Sequence, residues 1–266
     1  MPYASLNGLR FYYERSGEGP RLLFISGTGG DLRVQPNVFA SPLAKAFDLL
    51  AYDQRGLGQT DKPDVPYTMA EYADDAAALL DHAGWDDALV VGVSFGGMVA
   101  QELALRHPRR VRGLVLACTS PGGAGGASYP IHEINHLRGE ARARLLVSIS
   151  DTRLDEAWAA AHPDSHASLL KMAAAEPFAG EPGRAEGARR QLEARKDHDT
   201  WERLPQIACP VLIAAGRYDG IASPDTQQRM AGRIPNAELR WFEGGHLFMV
   251  QDRAAFPAMI AFLHHV

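Results

Sequence analysis

Apolar residues along this chain fall into short runs separated by glycine, proline and charged positions, and the period of the runs changes in a regular way. Residues 3–6 and 9–15 flank Asn7-Gly8, a pair that tolerates positive φ at both turn positions, so the spacing predicts a two-residue hairpin. Leu22, Leu23, Phe24 and Ile25 then form an unbroken apolar run within residues 21–26. Continuous rather than alternating hydrophobicity marks a strand covered on both faces, as in a parallel sheet flanked by helices. Further strands are predicted at 47–52, 88–93, 111–118, 210–216 and 237–242.

Helical spacing fills the gaps between them. Thr68 with Glu71 three residues later reads as a capping box, and Met69, Tyr72, Ala73, Ala76, Leu79, Leu80 and Ala83 make one apolar face. Asp74, Asp75, Asp81 and His82 fall off that face, and Gly84 stops the helix. A second helix starts after Ser94, turns Phe95, Met98, Val99 and Leu103 toward the sheet and ends before Pro108. Others are predicted near 223–232 and at the end of the chain, where Phe256, Met259, Ile260 and Leu263 form a stripe. Strands alternating with helices in this order imply right-handed crossovers and an α/β, mostly parallel, doubly wound sheet.

The rhythm breaks at residues 121–201. Pro121-Gly122-Gly123-Ala124-Gly125-Gly126 reads as a flexible exit, and the stretch beyond it is rich in Ala, Arg and Glu, with helical patches and no convincing strand. The expected organisation is a core of residues 1–120 and 202–266, with 121–201 inserted as a helical cap.

Composition narrows the class. A chain of 266 residues with 46% hydrophobic content is no disordered polymer and suits one α/β domain with an insertion. A net charge of -5 gives no reason to expect nucleic acid or an anionic membrane as partner, so a small molecule is expected instead. Cys118 and Cys209 are too few for a disulfide framework or a Cys-rich zinc site and read as buried free thiols. Neither a basic-then-apolar start nor a run near the ~20 apolar residues of a membrane span is present, which reads as a cytoplasmic protein.

Chemistry concentrates at the ends of strands. Gly92-Val93-Ser94-Phe95-Gly96-Gly97 joins a strand to a helix, and a sharp turn there would lift the serine hydroxyl clear of the backbone. Such a turn crowds the positions two before and two after the serine, which Gly92 and Gly96 fill. Asp219 is the first Asp beyond strand 210–216 and His246 the first His beyond strand 237–242. A serine needs a base to take its proton, and the base needs an acid to fix its tautomer. Ser26-Gly27-Thr28-Gly29-Gly30 is a strand-end loop able to donate an N–H to an oxyanion, whereas it lacks the spacing of a phosphate loop. Asp53 and Arg55, in Asp53-Gln54-Arg55-Gly56-Leu57-Gly58, are expected to pin their loop by hydrogen bonds and charge pairing.

With these motifs, the whole chain resembles α/β-hydrolase-fold serine hydrolases, and within them small carboxylesterases and 3-oxoadipate enol-lactonases. Besides the elbow and the Asp53 loop, the likeness is carried by residues 67–81, Met98-Val99-Ala100-Gln101, His107-Pro108 and Gly244-Gly245-His246. The resemblance implies Ser94 as nucleophile, His246 as general base and then acid, Asp219 as orienting acid, and the N–H groups of Phe95 and Thr28 as oxyanion donors. It also implies acyl transfer on a small ester or lactone with no metal or organic cofactor. Many relatives carry His-Gly where this chain has Ser26-Gly27. The serine argues against haloalkane dehalogenases and epoxide hydrolases, which use a carboxylate, and the loop lacks the His-Gly-Gly-Pro-Gly of proline iminopeptidases.

Two other readings compete. His132-Glu133-Ile134-Asn135-His136 matches the zincin pattern His-Glu-x-x-His, which on a helix would put both histidines on one face. A binding protein that kept the fold and lost turnover is the other. Within the enzyme reading, enol-lactonase substrates are anionic, whereas residues 121–200 carry 10 Lys and Arg against 12 Asp and Glu. That balance places a general carboxylesterase first and a lactonase second.

Overall fold

A computed structural model describes residues 2–266, with the side chain of Asn135 outside that description. Eight strands form one sheet: β1 (Tyr3–Leu6), β2 (Leu9–Ser16), β3 (Arg21–Ile25), β4 (Asp48–Tyr52), β5 (Ala88–Val93), β6 (Val111–Ala117), β7 (Val211–Gly216) and β8 (Ala237–Phe242). Their order is β1-β2-β4-β3-β5-β6-β7-β8, antiparallel from β1 through β2 to β4 and parallel from there on. The Asn7-Gly8 turn has φ of 49° and 80° and sets Leu6 opposite Leu9, as the hairpin reading requires.

Helices cover both faces. They are α1 (Leu43–Ala46), α2 (Met69–His82), α3 (Phe95–Arg106), α4 (Gly139–Ser150), α5 (Glu156–Ala161), α6 (Pro163–Ala174), α7 (Arg184–Lys196), α8 (Pro224–Arg233), α9 (Phe248–Gln251) and α10 (Ala255–His264). Alternate strand residues sort the core into two layers, because successive side chains leave opposite faces of a pleated strand. Leu23, Leu50, Val90, Leu114 and Ile213 pack with α2, α3 and α8, while Leu22, Leu49, Leu89, Val115 and Leu212 pack with α1, α9 and α10. Both faces of the central strands are therefore dry, which is what their continuous apolar runs require.

The predicted capping box forms: Thr68 Oγ1 accepts from the Glu71 N–H, and the Glu71 carboxylate accepts from the Thr68 N–H. Asp75, off the apolar face of α2, is nonetheless buried, and its carboxylate receives two hydrogen bonds from Arg55, at 2.6 and 2.9 Å, and one from Asn7 at 2.9 Å. A buried carboxylate demands such partners.

Between β6 and β7 the described residues are helical, with no strand longer than an isolated bridge. The bridge, Gly122 with Asp199, closes the base of this insertion, and the Thr200 N–H donates to Pro121 O at 2.8 Å. The exit expected to be flexible is therefore clasped and packed. Gly122 has φ of +71°, and a Cβ there would lie 1.9 Å from His198 O, so its glycine serves a close approach. His132-Glu133-Ile134-Asn135-His136 lies in a 3₁₀ helix, Ile131–His136. With three residues per turn, positions four apart do not share a face, so the shared face that the competing zinc reading needs for His132 and His136 is absent. Cys118 is buried and Cys209 half-buried, and neither forms a disulfide. No helix among the described residues is long and apolar enough to cross a membrane.

Helix α3 passes very close to the end of β3. A Cβ on Gly96 would sit 2.1 Å from Ile25 O and 2.5 Å from Ser26 O, both backbone atoms with little room to yield. Gly96→Ala should therefore lower stability by about 3 kcal/mol or more. Urea unfolding checks this, and an unchanged midpoint would refute the packing argument.

Candidate active site

The sheet order reverses at β3: the chain moves to β4 on one side, then crosses back to β5 on the other. Open α/β sheets hold ligands in the crevice beyond the carboxyl ends of strands at such a switch point. The loop 26–30 leaves β3 there, and Ser94 leaves β5 beside it. Gly27 lies against the serine, since a Cβ on it would be 3.4 Å from Ser94 Cβ.

Ser94 has φ of 54° and ψ of −117°, a region that costs a non-glycine residue about 1–3 kcal/mol. Surrounding bonds hold it there. Its N–H donates to Ala117 O at 2.8 Å, and its carbonyl accepts from the Gly97 N–H at 2.9 Å and Thr119 Oγ1 at 2.8 Å. Gly92 makes the turn possible, because a Cβ there would lie 2.4 Å from Gly96 O. The hydroxyl is half-buried.

Asp219 and His246 follow β7 and β8 and meet Ser94 in space. Asp219 is 1% exposed, and its Oδ1 accepts from the Ile221 and Ala222 N–H groups at 2.8 and 2.9 Å. His246 Nδ1 lies 3.0 and 2.9 Å from the two Asp219 oxygens, and Nε2 lies 2.9 Å from Ser94 Oγ. A carboxylate can only accept, so Nδ1 carries the proton and Nε2 is left to accept from the serine hydroxyl. The three side chains form one hydrogen-bonded line.

Phe95 and Thr28 sit on either side of this line in sequence, the first at the start of α3 and the second in the loop against Ser94. Among the described residues neither N–H donates to an acceptor within the chain. Phe95 is fully buried and its ring meets Tyr72 edge-on at 5.0 Å, which fixes the first turn of α3. Gln54 holds the start of the loop 26–30, its Nε2 donating to Ser26 O at 2.9 Å. Gln191, from α7, accepts from the Gly29 N–H at 2.9 Å.

Sequence reading had found neither glutamine. Gln54 lay inside a motif already quoted, but Gln191 had no local signal, since its partner is 162 positions away. Ser150 is a third such residue: its carbonyl at the end of α4 accepts from the His246 N–H. The pinning role expected of Asp53 and Arg55 is present. Asp53 accepts from the N–H groups of Leu32 and Gln59, at 2.7 and 2.8 Å, and burial pushes its carboxyl up to about 6.

Charge ties the insertion to the loop after β3. The Asp31 side chain is fully buried and receives Arg33 at 2.8 Å and Arg184 of α7 at 2.7 Å, while Arg33 also binds Glu181. Burial raises the Asp31 carboxyl, but these two guanidiniums outweigh it and hold it at about 2. A largely apolar cavity of about 480 Å³ borders the same loop, with Phe24, Leu32, Val38, Met249 and Phe256 in its wall. Neither Ser94 nor His246 lines it. Among the described residues no group of three or more His, Cys, Asp or Glu is placed to hold a metal ion.

A doubly wound sheet with a serine on a strained strand-to-helix turn, and an acid and a base at the ends of two later strands, defines a class of hydrolases. The family model for the α/β-hydrolase fold matches residues 20–252, and the chain belongs to that family. A protein of Azorhizobium caulinodans provisionally designated carbamate hydrolase RutD is 31% identical, covering 98% of this chain and 97% of its own. The 2-hydroxymuconate semialdehyde hydrolase of Pseudomonas sp. strain CF600 is also 31% identical, over 95% of this chain and 89% of its own. Among solved structures, the enol-lactonase of Burkholderia xenovorans LB400 superimposes with a TM-score of 0.79 at 26% identity, covering 99% of this chain and all of that one. The protein is an enzyme of the hydrolase class.

The Asp31 cluster has a pH signature. Its folded pKa lies below that of a free carboxylate, so its contribution is complete above pH ~4 and is lost as pH falls through about 2. Urea midpoints measured from pH 5 to pH 2 should drop more steeply in wild type than in Asp31→Asn. Parallel curves would show that the cluster contributes nothing.

Proposed function

We propose that the enzyme is a serine hydrolase that cleaves a carboxylic ester of a small molecule through an acyl-enzyme. The observation that carries this reading is the unbroken line from Asp219 through His246 to Ser94, with 2.9 Å between Nε2 and Oγ. In the proposed reaction Nε2 takes the hydroxyl proton as Ser94 Oγ attacks the carbonyl carbon, and the imidazolium that forms is stabilised by Asp219. The N–H groups of Phe95 and Thr28 receive the negative charge of the tetrahedral intermediate. His246 then gives its proton to the leaving alcohol. Water, deprotonated by the same nitrogen, attacks the acyl-enzyme and releases the acid. We take residues 121–201 as the cap over this centre and the source of its substrate preference.

A lactone or enol-lactone is the second reading. It is favoured by the similarity to the enol-lactonase and to a structure described as an N-acyl homoserine lactone degrading enzyme, 28% identical with a TM-score of 0.75. Both readings use the same steps, because a lactone is an ester whose alcohol stays tethered to the acyl group.

Ser94→Ala should lower p-nitrophenyl acetate turnover by at least ~10³-fold with an unchanged circular dichroism spectrum. Substantial residual turnover would sink the serine mechanism. Asp219→Asn should lower kcat by ~10³–10⁴-fold with little change in KM, because an amide facing Nδ1 favours the wrong imidazole tautomer. Comparing kcat/KM for open-chain esters and lactones of equal size separates the two substrate readings.

A further inference from the structure

A second polar centre lies between α3, the end of β6 and the last turns of the cap. It is a cavity of about 70 Å³ walled by Met98, Ser120, His132, Arg195, Lys196 and His198, among others. That volume holds a few waters or one small ion, and is far below the ~300 Å³ at which ordinary ligand pockets begin.

Its walls carry an uncompensated charge. Arg195 is 5% exposed, and its Nη2 donates to two neutral acceptors, Ser128 Oγ at 2.6 Å and Tyr129 O at 2.9 Å. Its Nε–H is buried without an acceptor, and the residue takes part in no ion pair among the described residues. Burial alone lowers it to about 10, with no nearby carboxylate opposing the fall, so it stays charged at neutral pH. Acids in the neighbourhood are engaged elsewhere: Glu102 binds Arg203, Asp199 accepts from the Trp201 N–H, and the exposed Glu133 lies 3.7 Å from His132 Nε2. Buried charges in proteins are otherwise paired.

The same walls hold further polar atoms. Ser120 Oγ and His132 Nδ1 are buried without a hydrogen-bond partner. Burial depresses His198 to about 3, and its neutral ring directs its one N–H at the Ser120 carbonyl. A fixed cation and a hydroxyl in the wall of one small cavity match a small monovalent oxyanion in charge and size.

We propose that this cavity is an anion site that binds a single carboxylate group, with Arg195 as its counter-charge. The group has two possible sources. One is a free small carboxylate; the other is the acid end of a substrate held at Ser94, since Met98 lies one turn along α3 from the serine and Thr119, next to Ser120, binds the Ser94 carbonyl. Only the second source rests on the catalytic reading of Ser94.

Thermal unfolding of the full chain tests binding without turnover. In Tris-gluconate, whose anion is too large for the cavity, added sodium formate should raise Tm saturably by about 5 °C at ~100-fold over its midpoint. Sodium gluconate at equal ionic strength should not. Arg195→Met should stay folded in gluconate, having lost a buried unpaired charge, and should lose the formate response. Ser120→Ala supplies an independent check, with a formate midpoint raised at least ~5-fold. A response equal in formate and gluconate, or one kept by both variants, overturns the site. The source follows from p-nitrophenyl hemisuccinate against p-nitrophenyl butyrate. If Arg195→Met lowers kcat/KM at least ~10-fold for the hemisuccinate alone, the site holds a substrate carboxylate, and if both esters respond alike while formate binding is lost, it holds a free one. Ser94→Ala should keep the formate response in either case, so a failure of the catalytic reading leaves the binding result standing.

Discussion

The first turn of α3 has to pass within backbone contact of β3, and the rest of the site depends on that approach. Gly96 meets Ile25 O and Ser26 O at distances no side chain would allow, and Gly92 meets the carbonyl of Gly96 in the same way. Because the helix is held this close, Ser94 is forced to a positive φ, and its hydroxyl leaves the chain at the sheet edge rather than lying along the helix. The strain is local and modest. It persists because Ala117, Gly97 and Thr119 all bond to the Ser94 backbone, so relaxing φ would break several hydrogen bonds at once.

From that edge the sheet sets the remaining distances. Parallel neighbours β5, β6, β7 and β8 end on one side, so the loops after β7 and β8 reach toward Ser94 without any long excursion. Asp219 is oriented by two N–H groups of its own loop, which leaves its free edge for His246. The insertion between β6 and β7 reaches the same place through backbone and amide contacts: the Ser150 carbonyl on the His246 N–H and Gln191 on the Gly29 N–H. Asp31 adds a charged tie to Arg184. Helices α4 and α7 therefore hold two of the loops at the strand ends, which couples their packing to the positions of His246 and Gly29.

Polar groups buried between the two layers divide into two kinds. Asp75 with Arg55, Asp31 with Arg33 and Arg184, and Glu102 with Arg203 are paired charges whose mutual attraction offsets their desolvation. Arg195 is different, since the burial of its charge is compensated by no opposite charge and by few hydrogen bonds. Scaffold pairs hold elements together, whereas unpaired groups around a small cavity are complementary to something of opposite sign.

The sequence alone determined the sheet and the identity of the three side chains at its edge. Strand runs buried on both faces must be continuously apolar, and a sharp elbow must have small residues at fixed offsets, so both requirements are written locally in residues 88–97 and in the runs of β3 to β7. Asp219 and His246 were legible for the same reason, each being the first Asp or His past a strand whose end was already placed. The tertiary structure decided what depends on contacts distant in sequence. Asp75 could be placed off the apolar face of α2 but not beside Arg55 and Asn7, residues 121–126 read as a flexible exit although His198 lies against Gly122, and the rival pairing of His132 with His136 loses its shared face because their helix is 3₁₀. Gln191, Ser150 and Arg195 gave no local signal, because what each does is fixed by a partner, or by the lack of one, that only the folded chain brings near.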